Sequence, residues 1–219
     1  MPKNVATVTA AFIPDALGRP RLGTRGGLAV LPDYPRVRLI IVGGGLSGCA
    51  LACALADGKR KILILEARTG KNPRFNGELI HPTGVEQLSR IDVLAALKEA
   101  GGADVSGFAC VPRPMAEATL LEYSEIPHTR PEGFAIDHHI LVDVLRRETL
   151  SRNGVELRTG VRVQALLHDQ ERVVGVETDA GEFRAHMVLA CDGRHSKIRA
   201  LTELKEDATL LSFTAAAFL

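Results

Sequence analysis

The stretch RLIIVGGGLSGCALACALADGKRKILILEAR, residues 38–68, constrains the fold of this chain more than any other. It opens on a short apolar run, 37–42, rich in β-branched residues, of the kind buried on both faces of a sheet. Gly43, Gly45 and Gly48 then satisfy the spacing G-x-G-x-x-G, and Ala, Leu and Cys continue at helical spacing to Ala56. Asp57-Gly58 closes that helix, residues 61–65 form a second apolar strand, and Glu66 stands at its end. A strand, glycine turn, helix and strand, with an acid about twenty residues beyond the glycines, is the pattern of a dinucleotide mouth. Gly43 permits the tight turn, Gly45 lets backbone N–H groups approach a diphosphate, and Gly48 lets the helix lie close to the sheet. The helix start at Leu46 and Ser47 offers unpaired N–H groups and the positive end of the helix dipole. Glu66, followed by Ala67 and Arg68, is placed to accept the hydroxyls of an adenosine ribose, which favours a free diol over a 2′-phosphate. FAD and NAD both remain open on these residues alone.

Other readings of the stretch are weaker. Residues 39–56 are eighteen positions without a charge, the lower edge of a membrane span. Three glycines in a row and the charged strand that follows argue against one. With 27 basic and 26 acidic residues, the chain has no field that selects nucleic acid or an anionic membrane as partner. Four cysteines, none in a C-x-x-C pair, fit a reduced, cytoplasmic compartment, and Cys49 and Cys53 read as small buried residues on one helix face. No secretory leader is expected. Residues 1–36, rich in Pro, Gly and Arg, read as a mobile arm, and the apolar tail TLLSFTAAAFL reads as a strand whose continuation is missing.

Further along, RFNGELIHPTG reads as a loop leading back across the nucleotide, followed by one helix with a stripe at Val85, Leu88, Ile91, Leu94 and Leu97. Residues 105–111 and 118–123 read as strands of a second layer. Residues 133–136 lead into a helix over 140–152, with His138 and His139 at its start as polar caps or a cofactor contact rather than metal ligands. A short strand at 155–157, an antiparallel meander over 162–185 and a buried strand at 187–190 follow. CDGRHSKIRA then closes the plan as a turn with Ser196 capping a last helix.

Two of these segments carry a resemblance. ACDGRHSKIR resembles the D-G-x-x-S-x-h-R motif (h, apolar) of FAD-dependent single-component aromatic hydroxylases and their relatives, and RFNGELIHPTG resembles the flavin-side loop of their squalene-epoxidase-like members. The similarity covers residues 37–201 and implies an α/β fold: a Rossmann-like FAD/NAD(P)-binding domain with a parallel sheet and a β-meander, plus part of a second, substrate-domain sheet. Its implied boundaries are 37–104 and 134–204 for the FAD-binding domain and 105–133 with 205–219 for the partial substrate domain. It implies that Gly43, Gly45 and Gly48 hold the FAD diphosphate, Glu66 the adenosine ribose, Arg74 the flavin end and the backbone of Val163 the adenine. Asp192 and Gly193 border the cofactor, braced by Ser196 and Arg199. His138 stands where the family usually has an arginine, and His81 is a further polar contact beside the flavin loop. The family's second G-D motif lies downstream of the residues present here.

The implied activity is monooxygenation: FAD reduced by NAD(P)H, and one atom of O2 transferred to a lipophilic or aromatic small molecule. No catalytic acid–base pair stands out. An FAD-dependent isoprenoid reductase, or a non-catalytic FAD-binding fragment completed by an oligomer or a complementing chain, are the alternatives. A halogenase is disfavoured because the chain has no Trp.

Overall fold

A computed structural model describes residues 39–70, 77–110, 117, 119–127 and 130–202. The arm expected over 1–36, the Arg74 segment and the apolar tail lie outside them.

The elements run β1 (Leu39–Val42), α1 (Leu46–Leu55), β2 (Ile62–Glu66), β3 (Gly77–Ile80), α2 (Pro82–Arg90), α3 (Leu94–Glu99), β4 (Ala103–Val105), β5 (Gly107–Cys110) and β6 (Thr119–Glu122). After a 3-10 turn come β7 (Gly133–Asp137), α4 (His138–Ser151), β8 (Val155–Thr159), β9 (Val163–Asp169), β10 (Arg172–Thr178), β11 (Gly181–Arg184), β12 (Met187–Ala190) and α5 (Lys197–Leu201).

Four strands form a parallel sheet in the order β12-β1-β2-β8. Both of its faces are covered, which is why β1 and β2 read as continuous apolar runs. Ile40, Val42, Leu63 and Leu65 pack on one face against Val161, Val163 and Val176 of the meander side and Ile198 of α5. Ile41, Ile62 and Ile64 pack on the other against Ala52, with Leu51 and Leu55 of α1 beside it. A third cluster joins Cys49 and Cys53 of α1 to Leu141, Val144 and Leu145 of α4, and continues through Leu88, Leu94 and Leu97 to Phe134 of β7. The meander β11-β10-β9 is antiparallel, as is a small sheet in the order β3-β7-β4. β5 and β6 form a separate hairpin.

Three segments differ from the sequence reading. The single helix expected over 85–101 is two, because Asp92 adopts φ +57° and ends α2. Val93 N–H donates to Leu88 C=O and Asp92 N–H to Ser89 C=O, the paired bonds of a Schellman turn. The apolar stripe continues across the break, so periodicity alone hides it. The expected loop at GELI is strand β3. Residues 133–136, expected only to lead into a helix, are the central strand β7 of the small sheet. Both are short and run directly into a helix, so neither shows the alternation of a longer strand.

Parallel strands place all their C-terminal ends on one edge. Val42 is level with Leu65 and with Ala190, and Glu66 with Thr159. The glycine turn after β1, the acid ending β2, the loop after β8 and the Cys191–Gly193 turn after β12 therefore converge. Such an edge is where open α/β sheets bind ligands.

Candidate functional site

A cavity of about 470 Å³ lies on that edge. Gly43, Gly45, Leu46 and Ser47 line it from the glycine turn and α1, and Glu66, Ala67 and Arg68 from the end of β2. His138 and Val163 face it from α4 and β9, and Asp192 and Gly193 from the turn after β12. The fold thus gathers, around one hollow, residues spread over 150 positions of sequence.

The three motif glycines do different things. Gly43 has φ +105°, a conformation costly for any side chain, and its N–H donates to Leu65 C=O over 2.8 Å. Gly48 does not line the cavity; it lies buried against the Gly43 carbonyl and Ile41. Gly45 caps α1 in an extended conformation, and a Cβ there would meet nothing within 4 Å. Its bare backbone therefore opens onto the cavity. No side chain caps α1 and its first turn holds no acid, so the helix presents its positive end uncompensated.

Glu66 is held firmly. Its Oε2 accepts the Gly44 N–H at 2.8 Å and its Oε1 the Arg68 N–H at 2.9 Å. Each carboxylate oxygen has a second acceptor site left. On the far side, Asp192 Oδ2 accepts the Ile198 N–H at 3.1 Å, while Oδ1 is buried without a partner. A buried unpaired carboxylate oxygen beside a cavity calls for a donor from a ligand. Ser196 caps α5 by accepting the Arg199 N–H, and the Arg199 guanidinium donates to Arg194 C=O, so the turn carrying Asp192 and Gly193 is braced from behind. Burial, aided by the neighbouring Asp192 charge, pushes the Cys191 thiol up to about 11.

His138 Nδ1 bonds Glu78 Oε1 at 2.7 Å. Glu78 lines a second hollow, of about 480 Å³, on the β3-β7-β4 sheet, so this pair stands between the two hollows. His81 lines neither: its Nδ1 is 2.7 Å from the buried Tyr123 hydroxyl and its ring stands edge-on to that side chain. Arg74 lies outside the described residues.

Sequence reasoning missed Arg146. It lies on the cavity wall, four residues beyond Val142 and eight beyond His138, which also face the hollow. Side chains four apart on a helix share a face, so His138 at the mouth already implied the next two turns. Arg162 and Val161, in the loop before β9, were missed as well.

A family model described as "FAD binding domain" matches residues 36–216. The chain belongs to this FAD-binding domain family of FAD-dependent monooxygenases. A squalene epoxidase of Schizosaccharomyces pombe is 31% identical over 171 residues, covering 74% of this chain and 36% of the yeast protein. Squalene epoxidase 4 of Arabidopsis thaliana is 30% identical over 168 residues, covering 74% and 32%. The chain thus spans about a third of the length of these relatives. Among solved structures, p-nitrophenol 4-monooxygenase from Pseudomonas putida DLL-E4 superposes with a TM-score of 0.69 at 21% identity, covering 80% of this chain and 45% of that one. PqsL, a probable FAD-dependent monooxygenase from Pseudomonas aeruginosa, gives 0.69 at 19% identity, covering 80% and 48%. These two share the fold. FAD is the cofactor of the family, and the cavity's bare glycine, uncapped helix and orphaned Asp192 oxygen suit a dinucleotide. Among the described residues no helix is long and apolar enough to cross a membrane, and no three His, Cys, Asp or Glu side chains group as a metal site.

Proposed function

We propose that this chain is the nucleotide-binding part of an FAD-dependent monooxygenase that transfers one atom of O2 to a lipophilic small molecule, with NAD(P)H as reductant. The observation that carries the reading is the juxtaposition of Gly45, bare and open to the cavity, with the braced Glu66 carboxylate. Epoxidation of an apolar alkene is favoured over aromatic hydroxylation, because relatives at 31% and 30% identity are squalene epoxidases.

In this reading the bound flavin supplies the redox and oxygen chemistry. The chain's own residues bind and orient it. The α1 start, from Gly45 through Leu46 and Ser47, donates N–H groups to the diphosphate. Glu66 accepts the ribose hydroxyls with the acceptor sites its backbone partners leave free. The Val163 backbone meets the adenine. Asp192 Oδ1 receives a hydroxyl or amide donor of the cofactor, and Gly193 allows close approach there. The family resemblance assigns Arg74 to the flavin end, and His138, on its Glu78 partner, contributes a donor from α4. The FAD-binding part is assigned to 37–104 and 134–204, with 105–133 and 205–219 belonging to the substrate side. A further segment or complementing chain completes that side. A reducing, cytoplasmic setting suits the free thiols at Cys49, Cys53, Cys110 and Cys191.

Titration of the purified chain with FAD, followed by flavin absorbance and fluorescence, tests the cofactor assignment. Saturable binding with one FAD per chain is expected. A chain that takes up no flavin, alone or with its complementing part, refutes it. O2 uptake coupled to NAD(P)H oxidation by the completed protein separates a monooxygenase from a reductase.

A further inference from the structure

We infer that Arg146 is the positioning residue of the nucleotide mouth, an inference that rests on the FAD-binding reading above. Its Nε donates to the Gly44 carbonyl at 2.8 Å, and its Nη2 lies 3.9 Å from Glu66 Oε2. The same Oε2 accepts the Gly44 N–H at 2.8 Å. Three segments distant in sequence thus close a ring: the glycine turn, the end of β2 and the third turn of α4.

The ring has a consequence for ligand binding. In a planar trans peptide, the carbonyl of one residue and the N–H of the next point opposite ways. By holding the Gly44 carbonyl, Arg146 sets the direction of the Gly45 N–H, the donor at the open end of α1. The Gly44 N–H is already committed to Glu66, so the donors offered to a diphosphate begin at Gly45. Gly44 itself has no side chain to hold its peptide plane. Among the described residues, the other group that reaches its carbonyl is the neutral Cys49 thiol, at 3.6 Å. Arg146 also gives Glu66 a cationic neighbour, in a setting where the two side chains are only 23% and 14% exposed and so poorly screened by salt. One guanidinium fork serves both partners; a lysine ammonium, a single point on a flexible stem, does not reproduce that geometry.

The full chain and its Arg146→Lys, Arg146→Gln, Glu66→Gln and Arg146→Gln/Glu66→Gln variants are compared by titration with FAD and with ADP, and by amide hydrogen exchange without ligand. Loss of a charge-assisted fork predicts weakening of about tenfold or more for both ligands in Arg146→Lys as well as Arg146→Gln. The double variant loses less than the sum of the two singles, and Gly44 amide exchange accelerates in both Arg146 variants while the melting temperature stays close to wild type. Lysine restoring wild-type affinity, strict additivity with Glu66→Gln, or unchanged Gly44 exchange each overturns the role of Arg146. A wild-type chain that binds neither FAD nor ADP instead overturns the FAD-binding reading, and this inference falls with it.

Discussion

A side chain at Gly48 would overlap the carbonyl oxygen of Gly43, whereas one at Gly45, three residues earlier, would enter open space. The two motif glycines are therefore separable by experiment. Gly48→Ala forces the α1 backbone away from the turn and is expected to lower unfolding free energy by roughly 1–3 kcal/mol, as overpacking against fixed atoms does. Gly45→Val changes only an extended cap position and costs the fold less than about 1 kcal/mol. Its isopropyl group occupies the approach to the helix start, so FAD affinity falls by about tenfold or more, equivalent to about 1.4 kcal/mol. Urea unfolding of the apo chain and FAD titration, run on both variants, check the crossed pattern. Equal stability loss in the two rules out the division of roles.

Glu66 joins the fold to the site. Glu66→Ala strands two backbone N–H donors, those of Gly44 and Arg68, and removes the acceptor assigned to the ribose. The expected loss of stability is about 1–2 kcal/mol, with a larger loss in FAD binding. Calorimetric titration with FAD and thermal unfolding of the apo chain measure the two parts.

The glycine turn, Glu66 and the Asp192–Gly193 turn were legible in the sequence because each is local: a motif of fixed spacing at the end of a short apolar strand. Strands β1 and β2 follow the same logic, since each is buried on both faces and reads as an apolar run; the order β12-β1-β2-β8, with the half-exposed VELRT of β8 at its edge, left no such local signal. What the sequence hid was tertiary. Arg146 looks like any charged residue on a helix, and only the packing of α4 beside the glycine turn gives it partners. Asp92 was hidden differently: a non-glycine residue at positive φ, inside an unbroken apolar stripe, leaves no signal in periodicity. His81 was drawn toward the flavin loop by its neighbours in sequence, yet its bond is to Tyr123, forty-two residues on.

Thr149 is a buried polar link between the two helices that flank the site. It is fully buried, its hydroxyl donates to Cys49 C=O at 3.1 Å, and Cys53 Sγ lies 3.2 Å from it. Thr149→Val keeps the shape and removes the donor, leaving the cysteine partners in an apolar interface. A loss of about 1–2 kcal/mol in urea unfolding is expected, with FAD affinity changed less than in Glu66→Ala. A neutral result shows that the α1–α4 contact rests on apolar packing alone.

The thiols of buried Cys49 and half-buried Cys191 make stability fall at alkaline pH. Burial is the main force on both: it raises Cys49 from 9.0 to about 11, partly opposed by Arg146, and raises Cys191 from 9.0 to about 11, assisted by Asp192. Between pH 9 and 11 the unfolded chain releases these protons while the folded chain retains them. The unfolded state then binds fewer protons, so unfolding free energy declines as pH rises. The contribution is whole below pH 9 and lost through about pH 11. Cys49→Ala removes one of the two groups and flattens the decline, at the cost of a small cavity beside α4. Unfolding of wild type and variant from pH 8 to 11 measures the difference in slope; parallel slopes exclude Cys49 as a source of the alkaline sensitivity.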